Sequence, residues 1–390
     1  MSSLPPGSDF VVTTVNGSSI YQNITGGGSQ PFDTTIYTTA GDSVTQLLDL
    51  PNVDGVSLIS GAFGDVLFSA SDGSNTTIYS TDGSSVTQLL DLTNVTGVSI
   101  MGYLNNDTFF SVTSGSDTTV YVTDGATVTQ YLELPTVSSV RILGFIFPNL
   151  RLIDAVSGSD TALYVTDGSN ATQLVDLKNV NSVNLLGYAG NVLLLDVLTG
   201  PETTIYSTDG NTITQLLDLK NIIGLEFIGY AANNNGLFDI VSGATTTIYS
   251  TDGKTVTNLL DLTDISNVSF LGNTANNITL FAAFAGSAAA IYSTNGNTIT
   301  QLLDLTNVIG VNFIGDVGGN AALFDVSAGS DTTLYSTDGN TATELLDLTN
   351  VSGANVIWRR STRICRLYHT EERQPVPIAS SSRQMTPWAA

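Results

Sequence analysis

A repeat of 42 or 43 residues runs through most of this 390-residue chain. Its most regular segment reads Thr-Thr-Ile-Tyr-Ser-Thr-Asp-Gly, and successive copies of its tyrosine are 42 or 43 residues apart. These tyrosines are Tyr37, Tyr79, Tyr121, Tyr164, Tyr206, Tyr249, Tyr292 and Tyr335. Such a period is typical of folds that stack one small unit, because each unit buries its apolar faces against its neighbours. The eight copies therefore predict a repeat architecture.

Each copy reads as four short strands, as the copy around Tyr79 illustrates. The expected strands are 76–81, 86–92, 98–103 and 108–112. Asp82-Gly83 separates the first two and is a hairpin signal, because Asp and Gly tolerate the positive φ of tight turns. The strands are rich in β-branched and aromatic residues. Adjacent apolar residues such as Leu89-Leu90 suit sheets that are covered on both faces.

Four strands in each of eight copies predict an all-β fold, a β-propeller of eight blades with four antiparallel strands per blade. A β-solenoid is the alternative, because it also repeats short strands. Solenoid coils are usually shorter than 42 residues, and the Asp-Gly turns favour antiparallel pairing. We therefore prefer the propeller.

The segment 65–92 resembles the E-L-W-x-x-D-G-T repeat family, found mainly in secreted or surface proteins of bacteria. Ile78-Tyr79 stands for the Leu-Trp of the family, Asp82-Gly83 for its turn, and Asp91-Leu92 for its Asp-Ile. The resemblance extends over residues 30–350. Tyr replaces Trp throughout, and the Gly-Thr of the family is reduced to Thr. The resemblance implies a propeller and an extracellular or surface location, and it assigns no activity.

The two ends depart from the repeat. Residues 1–31 are expected to form an N-terminal strand (9–16), which completes the last blade, and a linker (17–31). Residues 32–357 form the repeat propeller, whose eighth copy is incomplete. Residues 358–390 form an atypical basic tail with six of the eleven Lys and Arg residues, the single Cys and the single His. Trp358 stands where six copies have Gly, and a one-base shift of its codon can read Gly, so we interpret the tail as repeat sequence out of frame.

Composition excludes several classes of function. The net charge of −24 argues against a nucleic-acid partner, which requires a basic face. No run of 18 apolar residues is present, so we expect no membrane span. One Cys and one His exclude a disulfide framework and argue against a zinc site. The first residues, as written, carry no secretory signal.

An acid twelve residues after each repeat tyrosine is the sharpest candidate feature. These acids are Asp49, Asp91, Glu133, Asp176, Asp218, Asp261, Asp304 and Asp347. A symmetric ring of carboxylates could line a channel and bind cations, and Ca²⁺ is the cofactor that oxygen ligands suit. The alternative, which we favour, is that each acid caps a turn or accepts hydrogen bonds from nearby backbone.

Three other repeated positions have both structural and functional interpretations. The Asp of the Asp-Gly turn is replaced by Asn295 in one copy, which favours turn geometry over a required charge. The repeated glutamines could face a ligand or join neighbouring blades: Gln46, Gln88, Gln130, Gln173, Gln215 and Gln301. The repeat tyrosines could stack on sugars, although we favour a role in the core.

The sequence favours a non-catalytic repeat scaffold or binding module for a protein or glycan ligand, monomeric and extracellular or at the cell surface. No nucleophile elbow, P-loop or dinucleotide fingerprint is present. The alternative is a carbohydrate-active enzyme, a glycosidase or lyase that uses carboxylates on a propeller. Catalysis is the less favoured interpretation, because no acid is distinguished from its copies in the other units.

Overall fold

The computed structural model is built of β-strands, and the described residues form no α-helix. It describes residues 5–13, 17–27, 30–62, 64–73, 75–104, 106–146, 149–231, 234–274, 276, 278–318, 321–351, 354–359 and 362–367. Among these residues, no helix has the length and hydropathy that crossing a bilayer requires. The strands form eight four-stranded antiparallel sheets and one two-stranded sheet. We call the four-stranded sheets blades 1 to 8 in chain order.

The first four blades contain sixteen strands. Blade 1 consists of β1 (Asp9–Thr13), β2 (Ser19–Gly27), β3 (Gln30–Ala40) and β4 (Ser43–Pro51). Blade 2 consists of β5 (Val56–Ala62), β6 (Asp65–Ser71), β7 (Asn75–Thr81) and β8 (Val86–Thr93). Blade 3 consists of β9 (Val95–Leu104), β10 (Asp107–Ser114), β11 (Asp117–Thr123) and β12 (Val128–Leu134). Blade 4 consists of β13 (Ser139–Ile146), β14 (Leu150–Ser157), β15 (Asp160–Thr166) and β16 (Ala171–Leu177).

The remaining strands form four further blades and the two-stranded sheet. Blade 5 consists of β17 (Ser182–Ala189), β18 (Val192–Thr199), β19 (Glu202–Thr208) and β20 (Ile213–Lys220). Blade 6 consists of β21 (Gly224–Tyr230), β22 (Gly236–Ser242), β23 (Thr245–Thr251) and β24 (Val256–Thr263). Blade 7 consists of β25 (Asn267–Asn273), β26 (Thr279–Ala285), β27 (Ala288–Thr294) and β28 (Ile299–Leu305). Blade 8 consists of β29 (Gly310–Gly318), β30 (Ala321–Ala328), β31 (Asp331–Thr337) and β32 (Ala342–Leu348), and it is followed by β33 (Ala354–Arg359) and β34 (Thr362–Leu367).

The blades belong to two compact units. The first, Met1–Tyr230 with Asn234–Asp261, contains blades 1 to 6, and the second, Ala231–Asn233 with Leu262–Ala390, contains blades 7 and 8 and the two-stranded sheet, the boundary falling within β24. Inside the first unit, each blade's first strand contacts the first strand of the next blade. In the second unit, β25 contacts β29 and β29 contacts β33. Consecutive antiparallel four-stranded sheets that meet through their first strands are propeller blades, which confirms the predicted fold class and rejects the solenoid.

The core lies between neighbouring blades. Phe68 of blade 2 packs with Ile20 and Ile36 of blade 1, and all three side chains are almost fully buried. Equivalent clusters lie between the other successive blades of the first unit and between blades 7 and 8 of the second. The second strands of blades 2 to 8 are therefore covered on both faces, as the buried neighbours Phe109 and Phe110 show for blade 3. This confirms the prediction drawn from adjacent apolar residues in these strands.

The adjacent apolar residues of the fourth strand, Leu89 and Leu90 in blade 2, have a different cause. Ile78 pairs with Leu90 whereas Tyr79 pairs with Gln88, so Leu89 is an extra residue and forms a β-bulge. The same shift occurs in blades 1 to 5, 7 and 8. A bulge changes the side to which the following residues point, and Leu89 and Leu90 are both half-buried as a result.

A repeated glycine lies on the first strand of blades 3 to 8, and its copies are Gly102, Gly144, Gly187, Gly229, Gly272 and Gly315. At two of these positions the next blade approaches closely. A Cβ on Gly187 would lie 2.4 Å from the ring of Phe227 in the next blade. In the second unit, a Cβ on Gly272 would lie 2.5 Å from the ring of Phe313. Glycine is required at these positions because only a bare backbone leaves room for the neighbouring ring.

The N-terminal prediction is wrong in two respects. Ser19–Gly27, expected in a linker, is strand β2, and β1 pairs with β2 to begin blade 1 instead of completing the last blade. The cause is the phase of the repeat, since the unit that begins at the tyrosine strand starts halfway through a blade. The eighth copy therefore completes blade 8, and the incomplete sheet is the one that follows. The boundaries at residues 31 and 357 and the origin of the tail stay predictions, and residues 368–390 lie outside the described residues.

Candidate functional site

The eight repeat acids all lie on the fourth strands of their blades and are exposed. The fourth strand is the edge of the sheet opposite to the first strand, and the first strands are the ones that meet between blades. The carboxylates are therefore distributed along separate edges. One pair of them, Glu133 and Asp176, lines a shared hollow of about 300 Å³ between blades 3 and 4.

Local hydrogen bonds hold several of these carboxylates. In four blades the acid lies close to a threonine of the third strand, whose hydroxyl group donates a hydrogen bond to it. Thr35 donates to Asp49 over 3.0 Å and Thr247 to Asp261 over 2.7 Å, and the pairs Thr77–Asp91 and Thr333–Asp347 are each 3.2 Å apart. Asp176 instead pairs with the ammonium group of Lys178 at 2.9 Å. These contacts support the structural interpretation, although the partner is a side chain and not the expected backbone.

The described residues contain no group of three or more His, Cys, Asp or Glu side chains that could hold a metal ion. Ca²⁺ takes six to eight oxygen ligands, and the fourth strands do not bring the acids to a common point. No observation in the described part of the chain therefore supports a calcium site.

The Asp of each Asp-Gly turn has the structural role that its replacement by Asn suggested. Asp82 Oδ1 accepts the backbone N–H groups of Ser84 and Ser85 at 2.8 and 2.9 Å. Asn295 Oδ1 accepts the equivalent two N–H groups at 2.9 Å. The donated hydrogen bonds, first those from the backbone of Ser84 and Ser85, lower the pKa of Asp82 to about 2.

The repeat tyrosines are part of the core, as predicted. Tyr79 stacks on buried Phe68 across the sheet, with ring centroids 5.3 Å apart. Four other blades contain the same stack: Phe110–Tyr121, Phe238–Tyr249, Phe281–Tyr292 and Phe324–Tyr335. The repeated glutamines, in contrast, are exposed on the fourth strands. Gln130 donates a hydrogen bond to Glu133 of its own strand at 3.3 Å.

Sequence reasoning missed a set of acids on the second strands. The residue after the buried aromatic or aliphatic residue of this strand is Ser69, Ser111 or Ala282 in three blades but aspartate in four: Asp154, Asp196, Asp239 and Asp325. Asp154, Asp239 and Asp325 are at most 5% exposed. The signal in the sequence was this change of residue type at one repeat position.

The residue opposite these aspartates on the first strand is arginine in one blade, glutamate in another and asparagine in two. Opposite Asp154 is Arg141, whose Nε lies 2.8 Å from Asp154 Oδ2 and whose Nη2 donates to the carbonyl of Val183 in blade 5 at 2.6 Å. Opposite Asp239 is exposed Glu226. Burial first, and then the negative charge of Glu226, raise the pKa of Asp239 to about 6.

The first strands of blades 3 to 6 also contain an aromatic residue directly after the repeated glycine. These residues are Tyr103, Phe145, Tyr188 and Tyr230, which we call the aromatic row. The residues that occupy the same position in the other blades are Thr13, Gly61, Asn273 and Asp316. Phe145 is 54% exposed and Tyr230 is 41% exposed. The aromatic row therefore distinguishes four consecutive blades of the first unit.

Comparisons with known proteins give no family. No protein-family model and no curated protein matches the sequence. Among solved structures, the chain is similar to the β-propeller domain of the trilobed protease from Pyrococcus furiosus, described as having an open velcro topology, with 12% identity, a TM-score of 0.30 and coverage of 87% of this chain and 98% of that one. It is also similar to the acylaminoacyl peptidase of Pyrococcus horikoshii, with 13% identity, a TM-score of 0.30 and coverage of 82% and 57%.

Proposed function

We propose that this protein is a non-catalytic binding module, in which a repeated propeller scaffold presents non-repeated residues to a protein or glycan ligand. The observation that carries the proposal is the separation of the two kinds of residue. The repeated tyrosines pack in the core and the turn aspartates fix the hairpins of their own blades. The aromatic row instead occupies partly exposed positions on four consecutive first strands. Rigid scaffolds commonly bind through such variable surface positions.

The setting we propose is extracellular or at the cell surface, with the protein acting as a monomer. Support comes from the resemblance to the E-L-W-x-x-D-G-T repeats and from the composition of the chain, in which Asp and Glu exceed Lys and Arg by 35 to 11. High net charge of one sign keeps proteins soluble and opposes self-association.

The test measures binding and turnover in the same samples. The full chain is applied to an array of glycans and to immobilised peptides, and each ligand that is retained is then incubated with the protein and analysed for new reducing ends or new amino termini. Binding without turnover is the expected result. Cleavage of a bound ligand by the purified protein would overturn the proposal.

The second candidate function is a carbohydrate-active enzyme, favoured by the Glu226–Asp239 pair. A raised pKa lets a carboxyl group carry a proton at neutral pH, as a general acid requires. Glu226 and Asp239 are directly opposed in the register, which places their side chains next to each other on one face of the sheet, and glycosidases use a pair of carboxyl groups. If this function is correct, neutral polysaccharides will be hydrolysed, and Glu226→Gln and Asp239→Asn will each reduce the rate by at least about a hundredfold.

A further inference from the structure

We propose that the aromatic row is a binding surface for a neutral polysaccharide, whose sugar rings stack on successive blades. This inference deepens the proposed binding function and rests on it. It assigns the ligand to carbohydrate and the contacts to Tyr103, Phe145, Tyr188 and Tyr230.

The backbone fixes the aromatic row as a continuous feature. The four residues occupy one register position, because each pairs with the residue just before the second-strand position opposite the repeated glycine. Their strands β9, β13, β17 and β21 contact one another in order. Neighbouring blades therefore place neighbouring aromatic side chains side by side along the first unit.

Side-chain contacts link the members of the aromatic row. The guanidinium carbon of Arg151 lies 3.6 Å from the ring centroid of Phe145, and its Nη2 donates to the carbonyl of Tyr103 at 3.0 Å. Burial lowers the pKa of Arg151, and the nearby Tyr188 opposes that effect. Burial first, and then the charge of Tyr188, raise the pKa of Tyr230.

A second set of apolar side chains extends the aromatic row on the same face of each first strand. Phe227 and Tyr230 are in edge contact, with ring centroids 5.3 Å apart and an interplanar angle of 72°. Phe227 lies over Gly187, next to Tyr188. In blade 5 the corresponding residue, Leu185, is 38% exposed. Together these side chains form an apolar surface with hydroxyl groups at three of its four aromatic positions.

This chemistry suits carbohydrate better than the other polymers. Aromatic faces carry partial negative charge, and they attract the C–H groups that a pyranose ring presents on its apolar face. The net charge of −24 disfavours nucleic acids and anionic polysaccharides, which leaves neutral polymers.

The experiment is affinity gel electrophoresis of the full chain in gels that contain hydroxyethylcellulose, xylan, galactomannan or, as an anionic comparison, polygalacturonate. The variants are Phe145→Ala and Tyr230→Ala, with Tyr230→Phe as the conservative variant. Phe32→Ala is the matched control, because Phe32 is a 39% exposed aromatic residue of β3, outside the aromatic row. Equal thermal midpoints establish that a variant is folded, and two Ala variants keep the test decisive if one of them fails to fold.

We expect at least one neutral polysaccharide to retard the wild-type protein, and each Ala variant to weaken that retardation about tenfold, which corresponds to about 1.4 kcal/mol. Tyr230→Phe and Phe32→Ala should bind like the wild type. If the Ala variants bind as the wild type does, the aromatic row is not the binding surface, whereas the proposed binding function still stands. Retardation by no neutral polysaccharide, or by polygalacturonate alone, would also overturn it, and retention of a peptide in the array described above would then identify protein as the ligand class. Cleavage of the retained polysaccharide would overturn the non-catalytic function instead.

Discussion

Aspartate has three different environments in this repeat, and the environment decides what the carboxyl group does. In the Asp-Gly turn it accepts backbone N–H groups and its pKa is lowered. On the fourth strand it is exposed beside a threonine hydroxyl. On the second strand of blade 6 it is buried opposite another acid, and its pKa is raised. The first two environments repeat from blade to blade, and the third is confined to certain blades.

The turn aspartate should contribute stability that depends on pH. The pKa of Asp82 is about 2 in the folded chain and 3.8 in its ordinary range, so its contribution is complete above about pH 4 and is lost as the pH falls toward 2. Asp82→Asn keeps the acceptor, as Asn295 does, and should change the free energy of unfolding at pH 7 by less than about 0.5 kcal/mol, whereas Asp82→Ala should lower it by about 1 kcal/mol. Urea unfolding at pH 7 and pH 2.5 measures both effects. Equal losses for Asn and Ala at pH 7 would contradict this account.

The buried acid of blade 6 should have the opposite pH dependence. Asp239 has a folded pKa of about 6 against an ordinary value of 3.8, so its ionisation costs stability progressively as the pH rises from about 4 to 6, and the cost is constant above that range. Asp239→Asn should raise the free energy of unfolding at pH 8 by about 1–2 kcal/mol and leave it nearly unchanged at pH 4.

Glu226→Gln provides the control for Asp239, because it removes the like charge while leaving the burial in place. It should reproduce a smaller part of the stabilisation at pH 8. Chemical denaturation at the two pH values measures both variants. If Asp239→Asn instead lowers the free energy of unfolding at pH 8, the ionised carboxylate stabilises the fold and this prediction is wrong.

At the scale of the strand, the repeated glycine sets how closely two blades approach. Gly187→Ala would place a methyl group 2.4 Å from the ring of Phe227. We expect this overpacking to lower the free energy of unfolding by about 1–3 kcal/mol. Gly97→Ala is the matched control, because Gly97 also lies on a first strand and a Cβ there meets no atom within 4 Å. Denaturant unfolding compares the two, and equal effects would show that backbone entropy, not contact with Phe227, dominates.

The strands illustrate what could be predicted from the sequence and what could not. The period and the Asp-Gly turns predict four antiparallel strands per unit, because the turn chemistry is local. The strand at which each blade begins could not be predicted from local sequence, because it depends on which sheet β1 pairs with. The N-terminal strand was misassigned for that reason. The aromatic row was missed for a related reason. Tyr103 and Tyr188 lie outside the repeated tyrosine motif, and only the strand register shows that they occupy the same position in their blades.

For the whole molecule, the charge imbalance should make stability depend on ionic strength. The chain carries a net charge of −24, and self-repulsion on this scale destabilises a compact state. Raising NaCl from about 10 to 150 mM shortens the screening length from about 30 to 8 Å and should raise the thermal midpoint by several degrees. Millimolar Ca²⁺ at matched ionic strength should add no further rise, because the repeat acids lie on separate strands. If Ca²⁺ does raise the thermal midpoint further, and Asp218→Asn and Asp261→Asn abolish that rise, these residues bind calcium.

The bulged fourth strand has a consequence for how copies of this protein meet. An uncovered outer strand offers unpaired amide and carbonyl groups on which another chain could grow into a continuous sheet. In most blades the extra residue interrupts the regular spacing of those groups, and an exposed carboxylate lies two residues after it. If two such strands lay side by side, their carboxylates would repel each other and their backbone hydrogen-bonding groups would not align. Repulsion between these carboxylates would therefore oppose edge-to-edge association, which gives the recurring acid a role that requires no ligand.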